Sequence, residues 1–251
     1  MPDRPGSLQV SPGAPLARSP VAASPATVVA GWEVCARVAT GALTLADETP
    51  RAKVGVRAPF AGASRDALGV PFGRTCRTDL GPAGEVLLVG SGPGEWLALG
   101  APGTAGAVRA ALEERLAGTG EFTSVLDLTH GRALLRLRGA TSPVVLAGVC
   151  AIDFSDRVTP DGTALRTSVA GVVTDIVRDD RPGGTQRSGA AAPEADGSGG
   201  TQRSGAAAPE ADGSGGPSYL LHCERSSGQY LFDALLDAGS RCGIEVTGPG
   251  S

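Results

Sequence analysis

Apolar and polar positions follow a recurring order along the chain: strand, turn, strand, helix. Glu85–Val89 (EVLLV) and Glu95–Leu99 (EWLAL) are short apolar runs around the glycine-rich turn 90–94, which predicts a hairpin. A helix is expected next. Thr104 stands at its N-cap, Val108, Leu112 and Leu116 recur at four-residue spacing, and Gly118 can close it. The order returns with FTSVLDLT (122–129) and RALLRLR (132–138) around His130-Gly131. In the second run Ala133, Leu135 and Leu137 alternate with Arg136 and Arg138, so one face is buried and the other wet. Thr141 and Pro143 open a short helix over Val144–Val149, where the missing proline N–H is harmless.

A third unit pairs a long β-branched run, Ala164–Val177, with SYLLHCE (218–224). Ser226 caps a final helix with Leu231, Leu235 and Ala238 on one face, ending near Gly243. Residues 33–57 add a strand or two. Repeated ββα units predict an α+β fold with antiparallel sheets and helices on one face.

Two stretches lack this patterning. Residues 1–30 are rich in Pro, Ala and Ser, and are expected to form a mobile tail. The sequence GGTQRSGAAAPEADGS occurs at 183–198 and again at 199–214. Neither copy has an apolar face to stack, so a solenoid is excluded and disorder is expected over 179–217. Doubling a loop adds only about 0.6 kcal/mol of closure cost, which an enlarged hairpin tip tolerates. The folded region is therefore 31–178 plus 218–246.

Composition narrows the chemistry. The net charge is −4 over 251 residues, with no Lys/Arg block to neutralise phosphates, so nucleic acid is not an expected partner. No apolar run reaches about 18 residues, which predicts no membrane helix. Pro20 and Pro25 interrupt the 16–31 segment, against a secretory signal. Cys35, Cys76, Cys150, Cys223 and Cys242 are odd in number and show no CxxC spacing, so free thiols in a cytoplasmic protein are expected. Only His130 and His222 could join them at a metal, too few for a local zinc site.

Several segments invite a catalytic reading. GSGPG (90–94) comes after a strand, but Glu95 stands where a dinucleotide fingerprint needs its last glycine, and EWLAL beyond it is strand-like where a helix is required. Asp127 and His130 in DLTH lie at a strand end, where turn duty outweighs a catalytic dyad. His222 reads as a packed strand residue. Cys76 is flanked by Arg74 and Arg77, which would lower its pKa, but its segment reads as a Gly/Pro-rich loop and a reactive thiol is not expected. Asp153, Asp156 and Asp161 lack the order of a calcium loop and read as turn residues. No nucleophile elbow is present. No residue is assigned to catalysis or metal binding.

The order of segments carries a resemblance. GPGEWLALG (92–100) resembles the GPDEWL turn-strand of the sarcosine oxidase gamma family. The stretches 125–154, 159–178 and 219–239 resemble its successive strands and helices, and LGVPFGRTCRT (68–78) matches its Leu-Pro segment. The resemblance spans roughly 50–178 and 218–243. It implies a fold similar to the folate-binding aminomethyltransferase domain. It also implies an accessory role beside alpha, beta and delta chains, chiefly alpha, in a complex that oxidises sarcosine to glycine, hydrogen peroxide and methylenetetrahydrofolate. FAD, FMN, NAD, zinc and tetrahydrofolate are expected in those other subunits, with no cofactor held by this chain. Trp96 is the candidate interface anchor, its alternative being a core position. A stand-alone tetrahydrofolate-binding protein is the second reading, with Asp127 as its folate candidate. A folate-dependent iron–sulfur repair protein would need a Lys-Gly-Cys-Tyr-type segment, where this chain has Gly148-Val149-Cys150-Ala151.

Overall fold

The computed structural model describes residues 15–180 and 216–249. A small sheet comes first: β1 (Ala17–Arg18), β2 (Ala26–Val29) and β3 (Trp32–Cys35), in the order β1-β3-β2. The chain continues through β4 (Leu43–Asp47), β5 (Arg51–Arg57), α1 (Ala63–Leu68), β6 (Thr75–Asp79), β7 (Glu85–Gly92), β8 (Glu95–Pro102) and α2 (Ala105–Ala117). It then forms β9 (Ser124–Asp127), β10 (Arg132–Gly139), α3 (Ser142–Ala147), β11 (Ala164–Val169) and β12 (Val172–Arg178). It ends with β13 (Ser218–Glu224), α4 (Gly228–Gly239) and β14 (Glu245–Thr247).

Two larger sheets make the body. One has the order β11-β12-β13-β10-β4-β14, the other β6-β7-β8-β5-β9. Both are antiparallel except where β14 runs parallel to β4. Side-chain alternation sorts each strand between two faces. On β10, Ala133, Leu135 and Leu137 join Leu231, Phe232 and Leu235 of α4 and Val145 and Leu146 of α3 in one core. On the second sheet, Val54, Val56, Leu88 and Ala98 meet Val108, Leu112 and Leu116 of α2. The opposite faces meet each other through Leu87, Val89, Leu97 and Leu99 against Leu134, Val177 and Leu220. The architecture is thus helix, sheet, sheet, helix, a mixed α+β fold with mostly antiparallel strands, and the inner sheet faces share one apolar layer.

The first predicted unit forms as expected: β7 and β8 pair around the glycine turn, and all three spaced residues of α2 are buried. Burying side chains of this kind contributes about 1.5–3 kcal/mol each. Thr104 takes the N-cap position, but its hydroxyl donates to the Ala101 carbonyl at 2.8 Å instead of accepting from the helix N–H groups.

Three expectations are corrected. The 122–129 and 132–138 runs are strands, but they do not pair with each other. β9 joins β5 at the edge of one sheet, and β10 sits between β13 and β4 in the other. β9 buries little on either side, which suits an edge, whereas the Ala133–Leu135–Leu137 stripe needs a helix-covered central strand. The chain therefore crosses between layers at 128–131. The run 164–177 is not one strand but a hairpin, because Ala170 (φ 49°) and Gly171 (φ 83°) form the positive-φ pair a tight turn requires.

The third correction concerns 1–30. Residues 1–14 lie outside the described residues, but 15–30 are not a tail. β2 pairs with β3, Val21 is buried in the α4 core, and the Ala22 N–H donates to Gln229 Oε1 at 2.8 Å. At the other interruption, Asp179 and Asp180 continue from β12, and the Asp179 N–H donates to the Ser218 carbonyl at 2.8 Å. The duplicated sequence itself lies outside the described residues.

Candidate functional site

Beyond their shared apolar layer the two large sheets diverge, leaving an open cleft of about 240 Å³ between β5, β8 and β9 on one side and β11, β12 and β13 on the other. Strand register builds its polar lining. Arg57 stands opposite Glu95 on β5 and β8, Arg166 opposite Asp175 on β11 and β12, and Asp175 opposite His222 on β13. All five point into the space between the sheets and line the cleft.

These groups form one continuous chain. His222 Nδ1 lies 3.4 Å from Asp175 Oδ2, and Arg166 Nε donates to Asp175 Oδ1 at 2.6 Å. Arg166 Nη1 crosses to Glu95 Oε2 at 3.1 Å, and Glu95 Oε1 takes Arg57 Nη2 at 3.0 Å. The Arg166–Glu95 contact thus joins one sheet to the other at the cleft. Burial pushes Asp175 up, but the hydrogen bonds from His222 and Arg166 outweigh it and hold the carboxyl below its ordinary value. Burial pushes the His222 imidazole down, against the pull of Asp175, so the ring is neutral. An ionised Asp175 only accepts, so Nδ1 carries the proton and Nε2 presents a lone pair. Among the described residues that Nε2 has no hydrogen-bond partner, and neither has the buried Ser91 hydroxyl, which lines the same cleft.

A second polar border closes the other flank of the apolar layer. Arg77 Nη2 meets Asp179 Oδ1 at 2.6 Å, Arg136 Nη2 meets Asp179 Oδ2 at 3.4 Å, and Arg136 Nε meets Glu48 Oε1 at 2.8 Å. Each charged group has an opposite partner, so this is a brace between sheets. Lys53, fully buried, donates from Nζ to the carbonyls of Thr49 (2.6 Å) and Arg51 (2.9 Å). Burial pulls it down to about 7, with Asp47 and Asp127 opposing.

No family model matches the chain. A sarcosine oxidase subunit gamma from Arthrobacter sp is 32% identical over 138 residues, which make up 53% of this chain and 65% of that protein. This chain resembles the sarcosine oxidase gamma subunit. The aligned stretch falls just short of two thirds of the relative's length. A chain of the heterotetrameric sarcosine oxidase from Corynebacterium sp. U-96, solved with pyrrole 2-carboxylate, superimposes with a TM-score of 0.56 at 21% identity. That match covers 80% of this chain and 87% of that one. The glycine cleavage system aminomethyltransferase T of Bartonella henselae gives a TM-score of 0.57 at 18% identity, covering 88% of this chain and 55% of that one. At such identities the two structures show the fold, which is the one the sequence motifs implied.

The candidates named from sequence occupy varied places. Asp127 is exposed on edge strand β9, accepts from the Thr129 N–H at 2.8 Å, and does not line the cleft, although Leu126 and Leu128 beside it do. Trp96 is 4% exposed and donates from Nε1 to the Val70 carbonyl at 2.9 Å, so it is a core residue and not a surface anchor. His130 is exposed and stacks on Trp32, with ring centroids 4.7 Å apart. Burial pushes the Cys76 thiol up, against the opposing pull of Arg115, so the flanking Arg74 and Arg77 do not activate it. Asp153, Asp156 and Asp161 serve turns and pairs: Asp153 accepts from Ser155 N, Asp156 pairs with Arg178 at 2.6 Å, and Asp161 accepts from Asp180 N.

His222, read from sequence as a packed strand residue, is packed on β13 and also lines the cleft. The signal was available in the sequence. Once 170–171 is recognised as a turn, Arg166 and Asp175 fall opposite each other, and the opposite charges mark a wet face.

Proposed function

We propose that this chain is a gamma-type accessory subunit of a heterotetrameric sarcosine oxidase, acting in the cytoplasm. In this reading the assembly demethylates sarcosine to glycine, with hydrogen peroxide and methylenetetrahydrofolate as the other products. The flavins, NAD, zinc and folate site belong to its alpha, beta and delta chains. This subunit braces the folate domain of the alpha chain. The observation that carries the reading is the 138-residue stretch at 32% identity to a sarcosine oxidase gamma subunit. The two-sheet fold shared with a chain of the solved heterotetramer supports it.

The test is co-purification. An affinity-tagged copy expressed in its own host should bring down a yellow, multi-chain complex that forms peroxide from sarcosine. A colourless preparation of this chain alone, stable and without partners, refutes the reading.

The likeness to aminomethyltransferase T over 88% of this chain favours one alternative, a stand-alone tetrahydrofolate-binding protein. Calorimetry of the isolated full chain with tetrahydrofolate separates the two. Tight binding supports the alternative, and absence of heat removes it.

A further inference from the structure

We propose that the cleft between the two sheets is a binding site for a small hydroxycarboxylate, whose hydroxyl donates to His222 Nε2 and whose carboxylate lies against the arginines. This does not rest on the subunit reading.

Three features of the cleft define the ligand. The first is the pair of orphaned polar atoms. His222 is 5% exposed, and its Nε2 has no partner among the described residues. Leaving a buried acceptor unmet is costly, so a group that fills it gains affinity. Because Nδ1–H donates to the Asp175 carboxylate, only a donor can satisfy Nε2. Ser91 Oγ, orphaned on the same lining, can donate to or accept from the same ligand.

The second feature is charge. Arg57, Arg132 and Arg166 line the cleft against two acids, Glu95 and Asp175. Arg166 spends its guanidinium on those acids. Arg57 gives one nitrogen to Glu95 and Arg132 one to Glu224, so each keeps N–H groups for an anion. These unspent N–H groups suit a carboxylate, and a hydroxyl on the same small molecule supplies the donor that Nε2 needs.

The third feature is size. About 240 Å³ lies below the ~300–1,000 Å³ of sites for drug-sized molecules. Leu97, Leu126 and Leu128 supply the apolar wall.

Histidine nitrogen resonances test this directly, because the whole sequence holds only His130 and His222. With 15N-histidine placed only in this chain, the purified full-length protein is titrated with glycolate, then with acetate, which lacks the hydroxyl. Glycolate should move the acceptor-nitrogen signal of His222, leave His130 in place, and bind about tenfold or more tighter than acetate. Ser91→Ala should weaken glycolate binding. Arg57→Ala combined with Arg132→Ala should weaken both acids in protein whose circular dichroism is unchanged. Four results overturn the proposal: an unmoved His222 signal, movement of His130 alone, equal affinity for the two acids, or a double arginine variant that binds as before. In each of these the cleft holds water and nothing more specific.

Discussion

Arg77 and Asp179 meet at 2.6 Å, with side chains 15% and 5% exposed, and this pair fastens one large sheet to the other at the root of the duplicated segment. Asp179 also receives Arg136 from β10, and its backbone N–H holds the Ser218 carbonyl. The two ends of the connection between β12 and β13 are therefore fixed by contacts made outside the repeat. Deleting residues 199–214 should leave stability within about 1 kcal/mol of the parent and leave assembly unchanged, since halving a loop alters closure cost by roughly 0.6 kcal/mol. Asp179→Ala should behave oppositely. It takes one carboxylate from two mostly buried guanidinium groups, which keep Glu85 and Glu48, and should lose about 1.5–3 kcal/mol. Urea unfolding of the two variants side by side measures the contrast, and equal midpoints would refute the account of the root.

Trp96 supplies a second test, because its burial assigns it to folding and not to docking. Trp96→Phe leaves the Val70 carbonyl, now bonded at 2.9 Å, without its donor. The cost should be about 1–3 kcal/mol. Thermal unfolding should report that loss, while the fraction of folded chain that enters a complex stays as in the parent. A selective loss of assembly at full stability would restore Trp96 as an interface anchor.

What the sequence showed and what it hid divide along a physical line. Elements held by local pattern were legible: the β7–β8 turn, the Val108–Leu112–Leu116 stripe of α2, and the α4 face with Leu231 and Leu235. Partner choice between strands was not. β9 and β10 are neighbours in sequence and lie in different sheets, because burial of the faces of β10 outweighs the short link of 128–131. The cleft as a whole was hidden for the same reason, although its Arg166–Asp175 pair is legible once 170–171 is read as a turn. Its chain from His222 to Arg57 is drawn from β5, β8, β11, β12 and β13, and charges so far apart in sequence look like ordinary solvated residues until register brings them together. The order of β2 and β3 was missed because Pro and Ser content masked the positive-φ turn at Ala30-Gly31.

Gly94 bears on the resemblance itself. The GPDEWL pattern places Asp where this chain has Gly94, whose φ is +71°. A Cβ there would lie 2.5 Å from the Ala58 carbonyl oxygen, a backbone atom that cannot swing aside. Gly94→Asp should therefore destabilise by about 1–3 kcal/mol, read by urea unfolding. A neutral or stabilising result would mean that the turn and the Ala58 strand end relax together.

Lys53 gives the chain a pH dependence whose sign can be worked out. Its ammonium is pulled to about 7 in the fold and returns toward the ordinary lysine value of 10.5 when unfolded. Between those values the unfolded state binds more protons than the folded state, so stability rises with pH. The rise is greatest in slope where the folded amine is neutral, and amounts to on the order of 1 kcal/mol per pH unit. The thiol of Cys223, which burial pushes up to about 11 from 9.0, works in the opposite sense once unfolded thiols ionise. The clean window is therefore from about pH 7.5 to about pH 8.5. Urea midpoints of the parent should climb across that window, and those of Lys53→Met should stay nearly flat. If the parent is flat as well, Lys53 keeps its proton through the two carbonyl contacts, and the buried amine is charged between the sheets.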